Sequence, residues 1–161
     1  MTDTISSWLA RDHRRLGAFL SSAIDGDTLA YAKLRAGLLR HIGIEEKILL
    51  RELAAARAEP VGVAAQLHLD HAALAALLVP SPTRALLEQA RALLELHDPL
   101  EEGPGGLYAI ADEVLAERRA ELIARFAAAP EPPLAKHFDG PRAFAAIEDL
   151  LARASAARDA R

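Results

Sequence analysis

Apolar residues recur three and four positions apart along most of this chain, and strict alternation with a period of two is absent. The pattern predicts helices, and breakers separate them. A first helix reads from about Thr4 to Ile24, with Asp3 or Thr4 as its cap. "DGD" at 25–27 ends it, and Asp27 can cap a second, long helix over about 28–59 that stops at Pro60. A third covers about 61–79. "PSPT" at 80–83 is a turn in which Ser81 can cap and Pro82 takes the first helical position of a fourth helix, about 82–102. "GPGG" at 103–106 interrupts, and helix resumes over about 107–128. "PEPP" at 130–133 opens an extended stretch to Gly140, before a last helix over about 141–158 that would pack across one end. The predicted fold is all-α: an up-down-up-down four-helix bundle over residues 1–128, with a Pro-rich segment and an extra C-terminal helix over 129–161.

Composition narrows the partners more than the fold. Aromatic residues make up 4% and the net charge is −4, with no basic stripe interleaved with aromatics, so nucleic acid is not an expected partner. There is no cysteine, which excludes disulfides and thiolate metal sites. The first residues lack a basic segment followed by an apolar one, and no apolar run is long enough to span a bilayer. The expected location is cytoplasmic, away from the membrane.

The chain also repeats itself. "DHRRLGAFL" at 12–20 resembles "DHAALAALL" at 70–78, and "LLRHIGIEE" at 38–46 resembles "LLELHDPLEE" at 93–102 with one extra residue. Each half is therefore a helix pair carrying the same polar residues at matching heights, which suggests a site at the junction of two like hairpins. At about 100° per residue, His13 shares a face with Leu9, Leu16 and Leu20, and His71 with Leu67, Leu74 and Leu78. His41 and Glu45 lie with Leu34, Leu38 and Ile48; His97 and Glu101 lie with Leu93, Leu94 and Leu100.

Burying an unpaired carboxylate costs many kcal/mol or forces its protonation. Two carboxylates and four or more imidazoles in one core need a compensating partner, and a pair of divalent or trivalent cations supplies it. Histidine nitrogens and glutamate oxygens without cysteine point to a non-heme dimetal site, with iron first and manganese or zinc as alternatives. Asp12 and Asp70 precede their histidines in both halves and are either hydrogen-bond partners behind them or surface carboxylates. Glu46 points away from Glu45 and reads as a solvated or supporting charge. His137 lies outside the repeat and reads as a non-ligand, and Trp8 and Phe19 read as packing.

Taken together, "DHRRL", "HIGIEEKIL", "HLDHAALAALL" and "HDPLEE" resemble the hemerythrin-like family, the HHE cation-binding domains, over residues 12–102. "GGLYAIAD" at 105–112 extends the likeness. The resemblance implies a four-helix bundle around two non-heme iron ions, oxo- or hydroxo-bridged, with terminal histidines and two bridging carboxylates. It makes His13, His41, His71 and His97 ligands, Glu45 one bridge, and Glu101 or Glu102 the other. The family's oxygen carriers usually have a second third-helix histidine four positions from the first; here His68, three positions before His71, takes that part. The implied ligand is dioxygen or nitric oxide, with any output passing through a protein partner or a homodimer.

Two departures bear on this reading. Pro99, between His97 and Glu101, lacks an N–H and its ring opposes the Glu95 carbonyl, so a kink or restart is expected there. The glycines after Glu102 would let Tyr108 or solvent approach the metals. Two alternatives stay open: a di-iron peroxidase or nitric oxide-handling stress enzyme, favoured by an opening at "GPGG", and a redox-silent, zinc-holding interaction module, favoured by the Pro99 interruption. No Glu-x-x-His, His-Glu-x-x-His, phosphate loop or arranged nucleophile is present.

Overall fold

The computed structural model describes residues 3–161, and among them every regular element is helical. Helix α1 spans Ile5–Ile24. Thr4 caps it in a reciprocal box with Ser7, and the Asp112 carboxylate accepts from the N–H groups of Ile5 and Ser6, so three of the free donors at this end are satisfied. Asp27 caps α2 (Thr28–Ile44) by accepting from Leu29 and Ala30.

The second helix departs from the sequence-based expectation in its interior. After Ile44 the backbone widens into a π-helical turn, Glu45–Leu49, before α3 (Leu50–Ala56) continues the rod. It ends three residues before the expected Glu59. A π turn inserts an extra residue into the helical register, and such turns concentrate at functional sites. Here it begins on the glutamate that the sequence singled out.

Helix α4 covers Ala64–Leu77 and α5 covers Arg84–Glu102. Thr83, rather than Ser81, caps α5 by accepting from Leu86. Ser81 instead binds Asp139 through both its N–H and its hydroxyl, pinning the Pro-rich segment. The helix does not restart at Pro99: α5 runs through it to Glu102. Pro99 is exposed, so the freed Glu95 carbonyl lies in the last turns of a solvent-facing side.

The expected 107–128 helix is divided. Helix α6 (Leu107–Val114) and α7 (Arg119–Ala128) are separated by a short 3₁₀ turn at Ala116–Arg118. Residues 129–140 carry no regular structure, as expected, and α8 spans Pro141–Asp159. That last helix corrects the expected packing. It lies along α4, with Ile147, Leu150 and Leu151 meeting Ala73, Leu74 and Leu77, instead of crossing one end.

Helix α1 packs on α2 and α5, and α4 packs on α5. One apolar layer gathers Leu9, Ile44, Leu49, Leu53, Leu67, Leu107 and Phe126. Two others gather Leu16, Leu20, Leu34 and Leu38, and Leu74, Leu77 and Leu93. Each fully buried leucine contributes about 1.5–3 kcal/mol relative to exposure. Between these layers lies a buried polar set: Asp12, His41, Glu45, Gln66, Asp70, His71, His97 and Glu101. No helix of the described residues is long and apolar enough to cross a membrane.

Candidate metal centre

The polar set divides into two groups that share two members. His13, His41, Glu45 and Glu101 form the first, and His71, His97, Glu45 and Glu101 the second; within each, one ligand atom per residue lies within 4.8 Å of the others. The two glutamates are fully buried and each faces both groups. Glu45 sets Oε1 3.3 Å from His41 Nε2 and Oε2 3.1 Å from His71 Nε2. Glu101 sets Oε2 3.3 Å from His13 Nε2 and Oε1 3.1 Å from His97 Nε2. One oxygen per half from each carboxylate is the disposition of a bridge.

Helix geometry explains why the spacing works. His41 and Glu45, like His97 and Glu101, are four residues apart and therefore stack on one face. The following glutamates point elsewhere. Glu102 is 38% exposed and takes the His13 Nδ1 hydrogen bond at 2.5 Å; Glu46 takes that of His71 at 2.6 Å. The choice between Glu101 and Glu102 thus falls to Glu101 as the shared residue, with Glu102 standing behind His13.

Every inward imidazole is anchored in this way. Asp12 accepts from His41 Nδ1 at 2.9 Å and Asp70 from His97 Nδ1 at 3.2 Å. Arg15 and Arg158 each pair with the aspartate of their half at 2.7 Å. Asp12 and Asp70 are therefore supporting carboxylates rather than surface charges. With Nδ1–H committed to a carboxylate, each Nε2 presents its lone pair to the centre, which is how metal-binding histidines are oriented. His13 and His41 Nε2 stand 2.9 Å apart, a distance two lone pairs tolerate only around a shared proton or cation.

The donor set fits a metal pair. Buried polar atoms almost always find hydrogen-bond partners. Here His71 Nε2, Glu45 Oε2 and Glu101 Oε1 are buried with none, and all three belong to the second group. His71 Nε2 stands 3.1 Å from Glu45 Oε2 and 3.5 Å from Glu101 Oε1. Separations of 2.9–3.5 Å match ligands around an ion at about 2.0–2.2 Å.

Electrostatics agree. Burial alone would push the imidazoles down, but the surrounding carboxylates prevail: His41 is raised to about 10, His71 to about 12 and His97 to about 9. His13 is raised by the same contest, with Glu101 the leading attraction. Burial and the Glu101 charge would raise Glu45, but His41 and His71 bring it down to about 2. In the metal-free protein the cluster thus binds protons where cations would bind. Six carboxylates (Asp12, Glu45, Glu46, Asp70, Glu101, Glu102) face four imidazoles and two arginines. Bound cations would offset the same negative charge that the imidazole protons offset without them.

Two sequence-predicted residues stand outside both groups. His68 is 53% exposed and pairs with Glu46, which holds it on the rim. Glu102 is the other, as above. Several participants were missed: Arg158 from the C-terminal helix, Gln66, which donates to Asp70, and Asp98, which stands beside His13 and Glu102. Arg158 lies 88 residues from Asp70, and no local pattern announces it. A cavity of about 250 Å³ reaches His13, His41, His71 and His97 between Leu16, Leu20, Leu34, Leu38, Leu74 and Leu94, with Arg91, Glu95 and Asp98 also on its wall. His137 is exposed, stands outside both groups and donates from Nδ1 to the Val79 carbonyl. Comparison with protein-family models, with curated proteins and with solved structures yields no match to this chain.

Proposed function

We propose that the chain is a hemerythrin-like protein: an up-down-up-down four-helix bundle, extended by a C-terminal helix, that holds two non-heme iron ions and binds or senses dioxygen or nitric oxide. The observation carrying this reading is the sharing of Glu45 and Glu101 between two histidine pairs, each carboxylate offering one oxygen to each side. Imidazole and carboxylate without thiolate suit iron, and they also suit zinc or manganese. A bound iron pair would supply one-electron redox chemistry and a coordination position for a diatomic ligand.

The chain's own residues do the rest. His13, His41, His71 and His97 would hold the ions through Nε2, while Asp12, Asp70, Glu46 and Glu102 keep each ring in its orientation. Leu16, Leu20, Leu34, Leu38, Leu74 and Leu94 give the cavity an apolar wall beside the histidines, which suits an uncharged gas. The bundle holds the two halves at a fixed separation through the bridging carboxylates.

A second reading draws on the cavity. Its volume of about 250 Å³ leaves room for a substrate larger than a single water, and Asp98 on its wall is held above the usual carboxylate range by burial. Both features favour turnover of peroxide or nitric oxide over simple carriage. The Pro99 interruption that would favour a zinc-holding interaction module is not seen, because α5 continues through Pro99 and buries Glu101.

Elemental analysis of protein expressed with added iron, followed by oxygen and nitric oxide titration of the reduced form, tests the proposal. About two irons per chain and a stoichiometric spectral change are expected. Repeated turnover instead of stoichiometric binding selects the enzymatic reading. Iron-loaded protein that shows no change with either gas and no turnover of peroxide overturns both.

A further inference from the structure

The Tyr108 hydroxyl lies inside the first group. Its oxygen is 2.6 Å from Glu45 Oε1, 3.0 Å from His13 Nε2, 3.1 Å from Glu101 Oε2 and 3.4 Å from His41 Nε2. These are the four atoms the first group offers to a cation. A phenol has one proton and can donate it to one acceptor at a time. The same oxygen also approaches two imidazole nitrogens whose other nitrogens are already committed to Glu102 and Asp12. Its distances to the four are instead those between neighbouring ligands of one ion.

The backbone is built to bring it there. Gly105 has φ +70°, in the left-handed region. A Cβ on Gly106 would stand 2.7 Å from the Glu101 carbonyl oxygen and 2.8 Å from that of Leu100. Only a turn this tight starts α6 directly against the end of α5 and lays Tyr108 over Glu101, seven residues on. The ring is fully buried among Leu9, Ile44 and Leu107, so the hydroxyl is fixed in place.

Nothing corresponds to it in the second half. There the equivalent atoms, His71 Nε2, Glu45 Oε2 and Glu101 Oε1, have no hydrogen-bond partner among the described residues. Tyr108 is also absent from the cavity wall, so the hydroxyl and the cavity meet the centre from different sides.

We infer that Tyr108 is a direct metal ligand, its phenolate oxygen completing the first group and making the two metal positions chemically unequal. This rests on the proposed metal pair. On binding, the phenol releases its proton to solvent and the oxygen takes a metal bond in its place. The first position then has five protein residues and the second four, so the second is where an added ligand binds.

Ferric iron is the probe. Phenolate bound to ferric iron gives a visible charge-transfer band and, on excitation into it, resonance-Raman modes of the tyrosine ring. The iron-loaded wild-type protein is expected to show both. Tyr108→Phe should lose them with iron per chain unchanged, and Tyr31→Phe, at the only other tyrosine, should keep them. Should Tyr108→Phe fail to fold, ring-deuterated tyrosine in the wild-type and Tyr31→Phe proteins gives the same answer, because the Raman modes shift only if Tyr108 is bound. Two irons per chain without the band, or a band that survives Tyr108→Phe, overturns the ligand assignment and leaves the metal pair standing. Failure to bind ferric iron at all overturns both.

Discussion

The two halves of the centre are built from one pattern and finished differently. Both have an aspartate holding one histidine, a glutamate holding the other, and an arginine behind the aspartate. In the first half the arginine, Arg15, is three residues from its aspartate on α1. In the second it is Arg158, supplied by α8 from the far end of the chain. In the first half a tyrosine hydroxyl stands among the histidine and glutamate atoms, and in the second the matching atoms are buried without a hydrogen-bond partner. A repeated hairpin can thus supply a symmetric ligand set, while the asymmetry that chemistry requires comes from what is added outside the repeat.

The largest effect is expected from removing what the halves share. Glu101→Gln keeps the shape but takes charge from both groups. Metal content should fall from two per chain to one or none, a loss greater than the roughly 10–100-fold in affinity that an outer partner is worth. Elemental analysis after dialysis checks it, and retention of both ions would show that the carboxylate is not shared.

Next come the supporting carboxylates, which compare the halves directly. Asp12→Asn and Asp70→Asn should each weaken metal binding by about 10–100-fold. Asp70→Asn should be the more damaging to folding as well, because Asp70 is fully buried and also pairs with Gln66 and Arg158. Competition with a chelator and thermal melts of the two variants separate these effects, and equal melts would remove the distinction.

The pH dependence should have opposite signs with and without metal. Imidazoles raised in the folded state stabilise it fully below their unfolded value near 6.5. That contribution is lost as pH rises through about 9 for His97 and about 10 for His41. Metal-free protein should therefore melt at lower temperature as pH climbs from about 6.5 to about 10. Metal competes with the same protons, so binding should tighten over that window and release protons at neutral pH. Melting curves with chelator and unbuffered titration with metal measure the two signs.

The smallest effect concerns His68. It is half exposed and stands off both groups, so His68→Ala should leave metal content unchanged and stability within about 0.5 kcal/mol. Loss of one metal in that variant would return it to the ligand set.

Residue periodicity alone makes most helices legible, together with His13, His41, Glu45, His71, His97 and a glutamate at 101 or 102, because polar residues on an apolar helix face violate hydrophobic patterning in a readable way. Two local rules misled. Pro99 predicts a break, but the proline lies on the solvent side near the helix end, where the lost hydrogen bond is tolerated. Ser81 predicts a cap, but Asp139 claims it. The π turn at Glu45–Leu49 has no sequence signature.

By itself, then, the sequence determined the helical class, the repeat and the inward-facing histidines and glutamates, because these are properties of spacing along one helix face. Tertiary structure decided which carboxylate is shared, what stands behind each imidazole, and that Tyr108 and Arg158 belong to the centre. Those depend on contacts between residues up to 95 positions apart, such as His13 and Tyr108. The free energy of such contacts comes from burial and convergence in space, which no local period encodes.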